Sequence, residues 1–280
     1  MKQELTINKI IQIALQEDIG KGDITTRLVI QKKKRVEAAI IAKEKGILAG
    51  IDIARQVFRA VDKKVQFIAK KKDGEQLNPR MIIAWVKGEA RSILRAERTA
   101  LNFLQHLSGI ATFTNRFVNV VKGTKAKILD TRKTIPGMRA LEKYAVRVGE
   151  GKNHRFGLDD LILIKNNHIT TAGSLHTAIM RAKQGRRNGL KIEIEAKNLN
   201  EVKTALAQNI KLIMLDNMAI SEMKKAVKLG KAKFEASGGI NLKNVREIAK
   251  TGVDYISVGA LTHSAPALDI SLKILRNFRK

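Results

Sequence analysis

No cysteine occurs among the 280 residues, so disulfides, thiolate metal sites and a cysteine nucleophile are all excluded. Aromatic residues make up only 4% of the chain, leaving few platforms on which single-stranded bases could stack. Acidic residues are scarce beside basic ones, 26 against 54, and the formal net charge is +28. Long apolar runs are missing as well. No stretch approaches the roughly 18–20 residues that a membrane-spanning helix requires. The opening Met1-Lys2-Gln3-Glu4-Leu5 lacks the features of a signal peptide, so a cytoplasmic location is expected, which the absence of cysteine suits.

The charge excess admits two readings: a nucleic-acid-binding surface, or a lysine-rich enzyme that handles small anions. The basic runs Lys32 to Arg35, Lys70 to Lys72 and Arg186-Arg187 are short and dispersed. That dispersion favours the enzyme, and nucleic acid is not expected as a partner.

Hydrophobic residues (44%) and charged residues (29%) are balanced as in a soluble globular protein. The length suits one large α/β barrel or two smaller domains. Helical spacing covers residues 5–17 and 51–61, and strands are expected at 36–42, 65–69 and 81–86, with a turn or short strand at 46–50. A long helix follows from Arg91 to Ser108; Gly109 is expected to interrupt it before a second helix, Ala111 to Val121. Beyond Gly123 the pattern changes to repeated βα alternation. Strand candidates lie at 127–130, 161–165, 191–195, 211–216, 232–236 and 253–258, with helices at 137–147, 173–184, 199–207, 219–229 and 241–250. Such alternation calls for a parallel sheet, and its length fits a barrel. The closing segment, Pro266 to Phe278, reads as a helix.

Each barrel strand candidate ends in polar or glycine-rich residues, the position at which barrels build active sites. Asp130-Thr131-Arg132-Lys133 and Lys165-Asn166-Asn167-His168 supply cations, as does the Asn153-His154-Arg155 segment between them. Ser237-Gly238-Gly239 and Gly259-Ala260-Leu261 end the last two strands, where amides can approach a phosphate closely. Glu195 and Asp216 suit sugar hydroxyls or Mg²⁺ through hard oxygen ligands. Glu193 shares a face with Glu195, and the spacing does not choose between them. His154, His168 and His263 lack the close spacing of a metal site, and no Gly-x-Ser-x-Gly elbow is present. Gly20-Lys21-Gly22 follows no strand and reads as a turn. Taken alone, Arg98 reads as a solvated arginine.

Taken together, several segments resemble the quinolinate phosphoribosyltransferase family. They are Ala14 to Thr25, Glu97 to Leu104, Ser108 to Thr112, Leu129 to Thr134, Asn153 to Leu158, Leu163 to Lys165, Glu235 to Ile240 and Ile256 to Ser264. The resemblance implies an N-terminal α/β sandwich domain (1–110) and an incomplete, seven-stranded α/β barrel (111–265); the helix read for the closing segment makes 266–280 a separate C-terminal element that could pack on the first domain. It also implies a homodimer or larger assembly with shared active sites.

The implied reaction joins quinolinate to phosphoribosyl pyrophosphate with Mg²⁺, releasing pyrophosphate and carbon dioxide and leaving nicotinate mononucleotide. By resemblance, Arg132, His154, Arg155, Lys165 and a partner subunit's counterpart of Arg98 bind quinolinate. Thr131, Lys133, Lys165, Glu195, Asp216, Ser237, Gly238, Gly239, Gly259, Ala260, Leu261 and His263 bind phosphoribosyl pyrophosphate. Lys133, Glu195 and Asp216 are the implied catalytic residues, with Glu195 and Asp216 holding the metal directly or through water. Two positions depart from the family pattern: Glu150 stands where a glycine is usual, and Asn166 where aspartate is common. The alternatives are a same-fold relative associated with molybdenum transport, or a Schiff-base lyase using Lys165.

Overall fold

The computed structural model describes residues 2–185 and 189–278, so the Arg186-Arg187 run lies outside the described residues. The chain forms two units. Unit 1 comprises Met1–Asn115, Ile135–Glu150 and Ser264–Lys280; unit 2 comprises Arg116–Thr134 and Gly151–His263.

In chain order the elements begin with α1 (Lys2–Ile19), α2 (Ile24–Val29), β1 (Arg35–Ala42), β2 (Gly46–Ile47), α3 (Ile51–Val61), β3 (Gln66–Ala69), β4 (Gln76–Leu77), β5 (Ile82–Glu89) and α4 (Ala90–Val121). They continue with β6 (Lys127–Leu129), α5 (Arg139–Val148), β7 (Ile162–Ile164), α6 (Asn166–Ala172), α7 (Leu175–Gly185) and β8 (Ile192–Ala196). The chain closes with α8 (Leu199–Ala207), β9 (Leu212–Asp216), α9 (Ile220–Lys228), β10 (Lys233–Ser237), α10 (Val245–Ala249), β11 (Tyr255–Ser257), α11 (Ala260–His263) and β12 (Ile270–Phe278).

Unit 1 is built on a four-stranded antiparallel sheet in the order β12-β1-β5-β3. Helix α3 forms because Ile51, Ala54, Val57 and Phe58 recur on one side, and all are buried. Its first amides are satisfied by Asp73, whose carboxylate accepts from Gly50 N at 2.9 Å and Ile51 N at 3.0 Å. Helix α5 also belongs to this unit, anchored by Glu142, which is fully buried against His106 Nε2 at 2.9 Å.

Two expectations are corrected here. The closing segment is a strand, not a helix: β12 pairs antiparallel with β1 from Ala42↔Ile270 to Arg35↔Phe278. The alternation Ile270-Ser271-Leu272-Lys273-Ile274 carries that period-2 signal, and pairing with β1 satisfies the edge backbone of the sheet. Nor does Gly109 break its helix, because α4 runs unbroken for 32 residues. The glycine is there for close approach: a Cβ on it would run into the backbone of Pro266 and Ala267.

Unit 2 contains a six-stranded, all-parallel sheet in the order β6-β11-β10-β9-β8-β7. Its strands are short apolar runs, and all five residues of β8 are buried, as expected for a sheet covered on both faces. The implied seventh strand is reduced to a single parallel bridge between Lys152 and Leu129. Among the described residues, no helix is long and apolar enough to cross a membrane.

Candidate active site

The carboxyl ends of the parallel strands open into a cavity of about 700 Å³, all of it within unit 2. Thr131, Arg132 and Lys133 enter it from the loop after β6. That loop is shaped locally: Thr131 Oγ1 accepts from Lys133 N at 3.0 Å, and Thr262 Oγ1 donates to Lys133 O at 2.7 Å. Lys133 is thereby held near Gly259, where an added Cβ would come within 3.0 Å of the Lys133 side chain and 3.2 Å of His263 Nε2. These three residues meet although 126 positions separate the first two in sequence (259 less 133).

Lys165 follows β7, and its ammonium lies 3.3 Å from Glu195 Oε2. Asn166 donates to the other oxygen of Glu195 from its side-chain amide at 3.0 Å. Glu195 is therefore clamped by both residues at the next strand's exit. The departure at position 166 has a visible consequence, since an amide can donate to Glu195 where a carboxylate would repel it.

His154 and Arg155 follow the Lys152–Leu129 bridge that remains of the seventh strand. His154 N donates to Asp130 Oδ1 at 2.9 Å, and Asn153 Nδ2 donates to Asp130 Oδ2 at 2.5 Å. His154 Nδ1 accepts from Arg155 N at 2.7 Å. Nε2 faces the barrel interior, 3.1 Å from Glu193 Oε2 and 3.6 Å from Glu235 Oε1. Arg155 Nη1 donates to Leu161 O at 3.0 Å. Burial, with Arg132 nearby, lowers the Arg155 pKa below the ordinary guanidinium range.

Glu193 and Glu235 are almost wholly buried, and Glu193 has no aligned hydrogen bond to either carboxylate oxygen. Burial first, and then Glu193, pushes the Glu235 pKa up to about 8, against the opposing pull of His154. Among the described residues, His154, Glu193 and Glu235 are the group of three whose ligand atoms lie close enough for one metal ion. Glu195 and Asp216 are outside that group and line the open cavity, so geometry separates Glu195 from Glu193 where spacing did not.

The glycine-rich turns complete the site. Ser237, Gly238 and Gly239 line the cavity, with φ of +95° at Gly238 and +61° at Gly239, a conformation that favours glycine. A Cβ at Gly238 would also collide with the Asn217 side chain. Gly259, Ala260 and His263, after the neighbouring strand β11, line the cavity beside Ser237, Gly238 and Gly239.

Of the residues expected here, Thr131, Arg132, Lys133, His154, Arg155, Lys165, Glu195, Asp216, Ser237, Gly238, Gly239, Gly259, Ala260 and His263 are brought together. Leu261 is not: it is fully buried, and its amide donates to Val258 O. Arg98 belongs to unit 1, where it is exposed on α4, and does not line this cavity. Asn217 also lines the cavity, directly after Asp216 at the exit of β9. Glu235 had no assigned role; an acid between Phe234 and Ala236 inside a strand was the available signal.

Comparison with known proteins agrees with this architecture. The family profile "Quinolinate phosphoribosyl transferase, C-terminal domain" matches residues 110–273, and its N-terminal-domain counterpart matches 23–108. A probable nicotinate-nucleotide pyrophosphorylase [carboxylating] of Bacillus subtilis is 44% identical, covering 96% of this chain and 94% of that protein. The crystal structure of nicotinate-nucleotide pyrophosphorylase from Ehrlichia chaffeensis is 45% identical with a TM-score of 0.92, covering 95% of this chain and 98% of that one. The Francisella tularensis enzyme of the same name is 42% identical, also at 0.92, with 96% of each chain covered. With both domain profiles matched and near-complete relatives above 40% identity, the chain belongs to the quinolinate phosphoribosyl transferase family.

Proposed function

We propose that this chain is a carboxylating nicotinate-nucleotide pyrophosphorylase. It transfers the phosphoribosyl group of phosphoribosyl pyrophosphate to quinolinate, giving nicotinate mononucleotide, pyrophosphate and carbon dioxide in NAD biosynthesis. One observation carries the reading. Arg132, Lys133, Arg155 and Lys165 share a single cavity with two carboxylates and two glycine-rich turns. A dicarboxylate needs several fixed cations, a phosphate needs close backbone amides, and a ribose needs carboxylates for its hydroxyls.

Arg132, Arg155 and Lys165 hold the quinolinate carboxylates in this reading. Both ring nitrogens of His154 are turned to protein partners, which supports a role in positioning Arg155. The turns at 237–239 and 259–260 take the ribose 5-phosphate, and Lys133 with His263 takes the pyrophosphate. The pyridine nitrogen attacks the anomeric carbon as pyrophosphate departs and oxocarbenium character develops. Lys133 stabilises the charge on the leaving group, so catalysis is positioning and electrostatics without a covalent enzyme intermediate. Once ribosylated, the nitrogen is cationic and stabilises the carbanion left when the adjacent carboxylate is lost as carbon dioxide.

Glu195 and Asp216 offer the hard oxygen donors that Mg²⁺ requires, and both line the cavity. When bound, the ion would offset phosphate charge. A homodimer in which a second copy supplies Arg98 fits the exposure of that side chain on α4. A cytoplasmic setting completes the proposal.

The test mixes protein, quinolinate, phosphoribosyl pyrophosphate and Mg²⁺, and measures carbon dioxide and nicotinate mononucleotide. Equal amounts of both are expected. Folded protein yielding neither would overturn the assignment.

A further inference from the structure

The opposite end of the barrel holds a second cavity of about 890 Å³, also within unit 2. It opens where the strands begin. Lys152, Lys183, Lys191, Lys211, Lys231 and Lys233 line it. Strand order explains the cluster, although register pairs Lys233 with Leu212 and leaves Lys211 one residue out of step with the other two. Lys191 directly precedes β8, Lys211 precedes β9 and Lys233 opens β10, three adjacent strands of one sheet. Lys191 lies two residues before Glu193, and Lys233 two before Glu235. Alternation therefore directs both lysines to the face of those barrel-interior glutamates.

Among the described residues, none of these six lysines has a carboxylate within ion-pair distance. Lys183 donates to the carbonyl of Gln208 at 2.6 Å, and Lys233 to the hydroxyl of Tyr255 at 3.3 Å. The remaining acids of the wall are occupied or remote from solvent. Asp160 accepts from Phe156 N at 2.7 Å, while Glu193 and Glu235 are buried and face His154. The amino end of a barrel ordinarily serves stability, and clustered like charges oppose stability there. A cavity of this volume is the size of a small-molecule site.

We propose that this mouth is a second anion-binding site, distinct from the catalytic one, for a compact di- or triphosphate. Neighbouring strands are about 4.8 Å apart, so the stems of Lys191 and Lys233, two strands apart on one face, lie roughly 10 Å from each other, the reach of two or three linked phosphates. Lysine supplies rotatable point charges suited to phosphate oxygens and lacks the planar fork that favours carboxylates. His154 and Arg155 line both cavities, so an occupant here shares a wall with the catalytic mouth.

Calorimetric titration of the full chain with inorganic pyrophosphate at low salt and without Mg²⁺ tests the proposal. Two binding events per chain are expected for the wild type. The triple variant Lys191→Gln, Lys211→Gln, Lys233→Gln should retain one event and keep turnover within about twofold. Lys191→Gln alone should weaken the second event about five- to tenfold with an unchanged urea-unfolding midpoint, which separates lost binding from lost folding. Lys133→Ala should affect only the other event, so failure of the catalytic assignment and failure of this one are distinguishable. A single event in the wild type, or two events of unchanged affinity in the single and triple variants, would overturn it.

Discussion

The two mouths of the barrel are both cationic, yet they are built differently. At the carboxyl mouth, Lys165 sits against Glu195, and Arg155 is tied to Leu161 O. At the amino mouth, six lysines surround a larger cavity without an ion-paired carboxylate among the described residues. The first arrangement fixes charges in position, at the cost of partly neutralising them. The second leaves the lysine charge without a paired carboxylate among the described residues. Orientation suits a reaction that must align two anionic substrates; uncompensated charge suits reversible capture of an anion.

The largest effect that would separate the mouths is on turnover. Lys133→Ala should lower kcat by about 10²–10³-fold, the usual scale for removing one oriented group that stabilises developing charge. Lys211→Ala, on the other mouth, should leave steady-state turnover within about twofold. Comparable losses in both variants would erase the distinction.

Gly238→Ala comes next. Its φ of +95° and the Asn217 side chain both oppose a Cβ, so a cost of about 1–3 kcal/mol is expected. Part of that cost should appear as a raised KM for phosphoribosyl pyrophosphate, with the KM for quinolinate less affected. Equal changes in both constants would argue against a phosphate cradle at this turn.

Between the mouths, Glu235 provides a pH test. Burial first, then Glu193 and Asp130, raise its pKa from 4.5 to about 8 in the folded protein, against the opposing effects of His154 and Ser257. The folded state therefore retains a proton that the unfolded state releases near its ordinary value. The associated stabilisation is complete below about pH 4.5 and is lost as pH rises towards 8. Urea midpoints between pH 5 and pH 8 should fall less for Glu235→Gln than for the wild type. Parallel curves would contradict the raised pKa.

The smallest effect lies outside both mouths. Glu150 has φ of +68° and is exposed. Glu150→Gly should raise the unfolding free energy by about 0.5–1 kcal/mol, because glycine relieves left-handed backbone strain although its unfolded chain is freer. Turnover should not change, and a large change would show that this position acts on the site.

Much of the barrel was readable because its signals are local. Each strand is an apolar run ended by polar or glycine residues, and Leu129-Asp130-Thr131-Arg132-Lys133 states both halves of that pattern in five residues. The misreadings arose where a non-local partner decided the outcome. Ile270 to Phe278 carries enough apolar residues for either a helix or a strand, and pairing with β1 selected the strand. Gly109 looked like a helix breaker, but the approach of Pro266 and Ala267 gives it a packing role.

By itself the sequence determined the alternation of elements, the cations and glycines at the strand exits, and the family. Those properties are set by residue type and spacing along the chain. Tertiary structure alone decided which of Glu193 and Glu195 faces the open cavity, how Asn166 and Lys165 clamp Glu195, and that His154 turns towards two buried glutamates. It also gathered Lys191, Lys211 and Lys233, scattered through 43 positions from first to last (233 less 191, plus one), around one opening. The physical reason is register: parallel pairing places residues from separate βα units side by side, and no pattern within one unit specifies what its neighbour brings there.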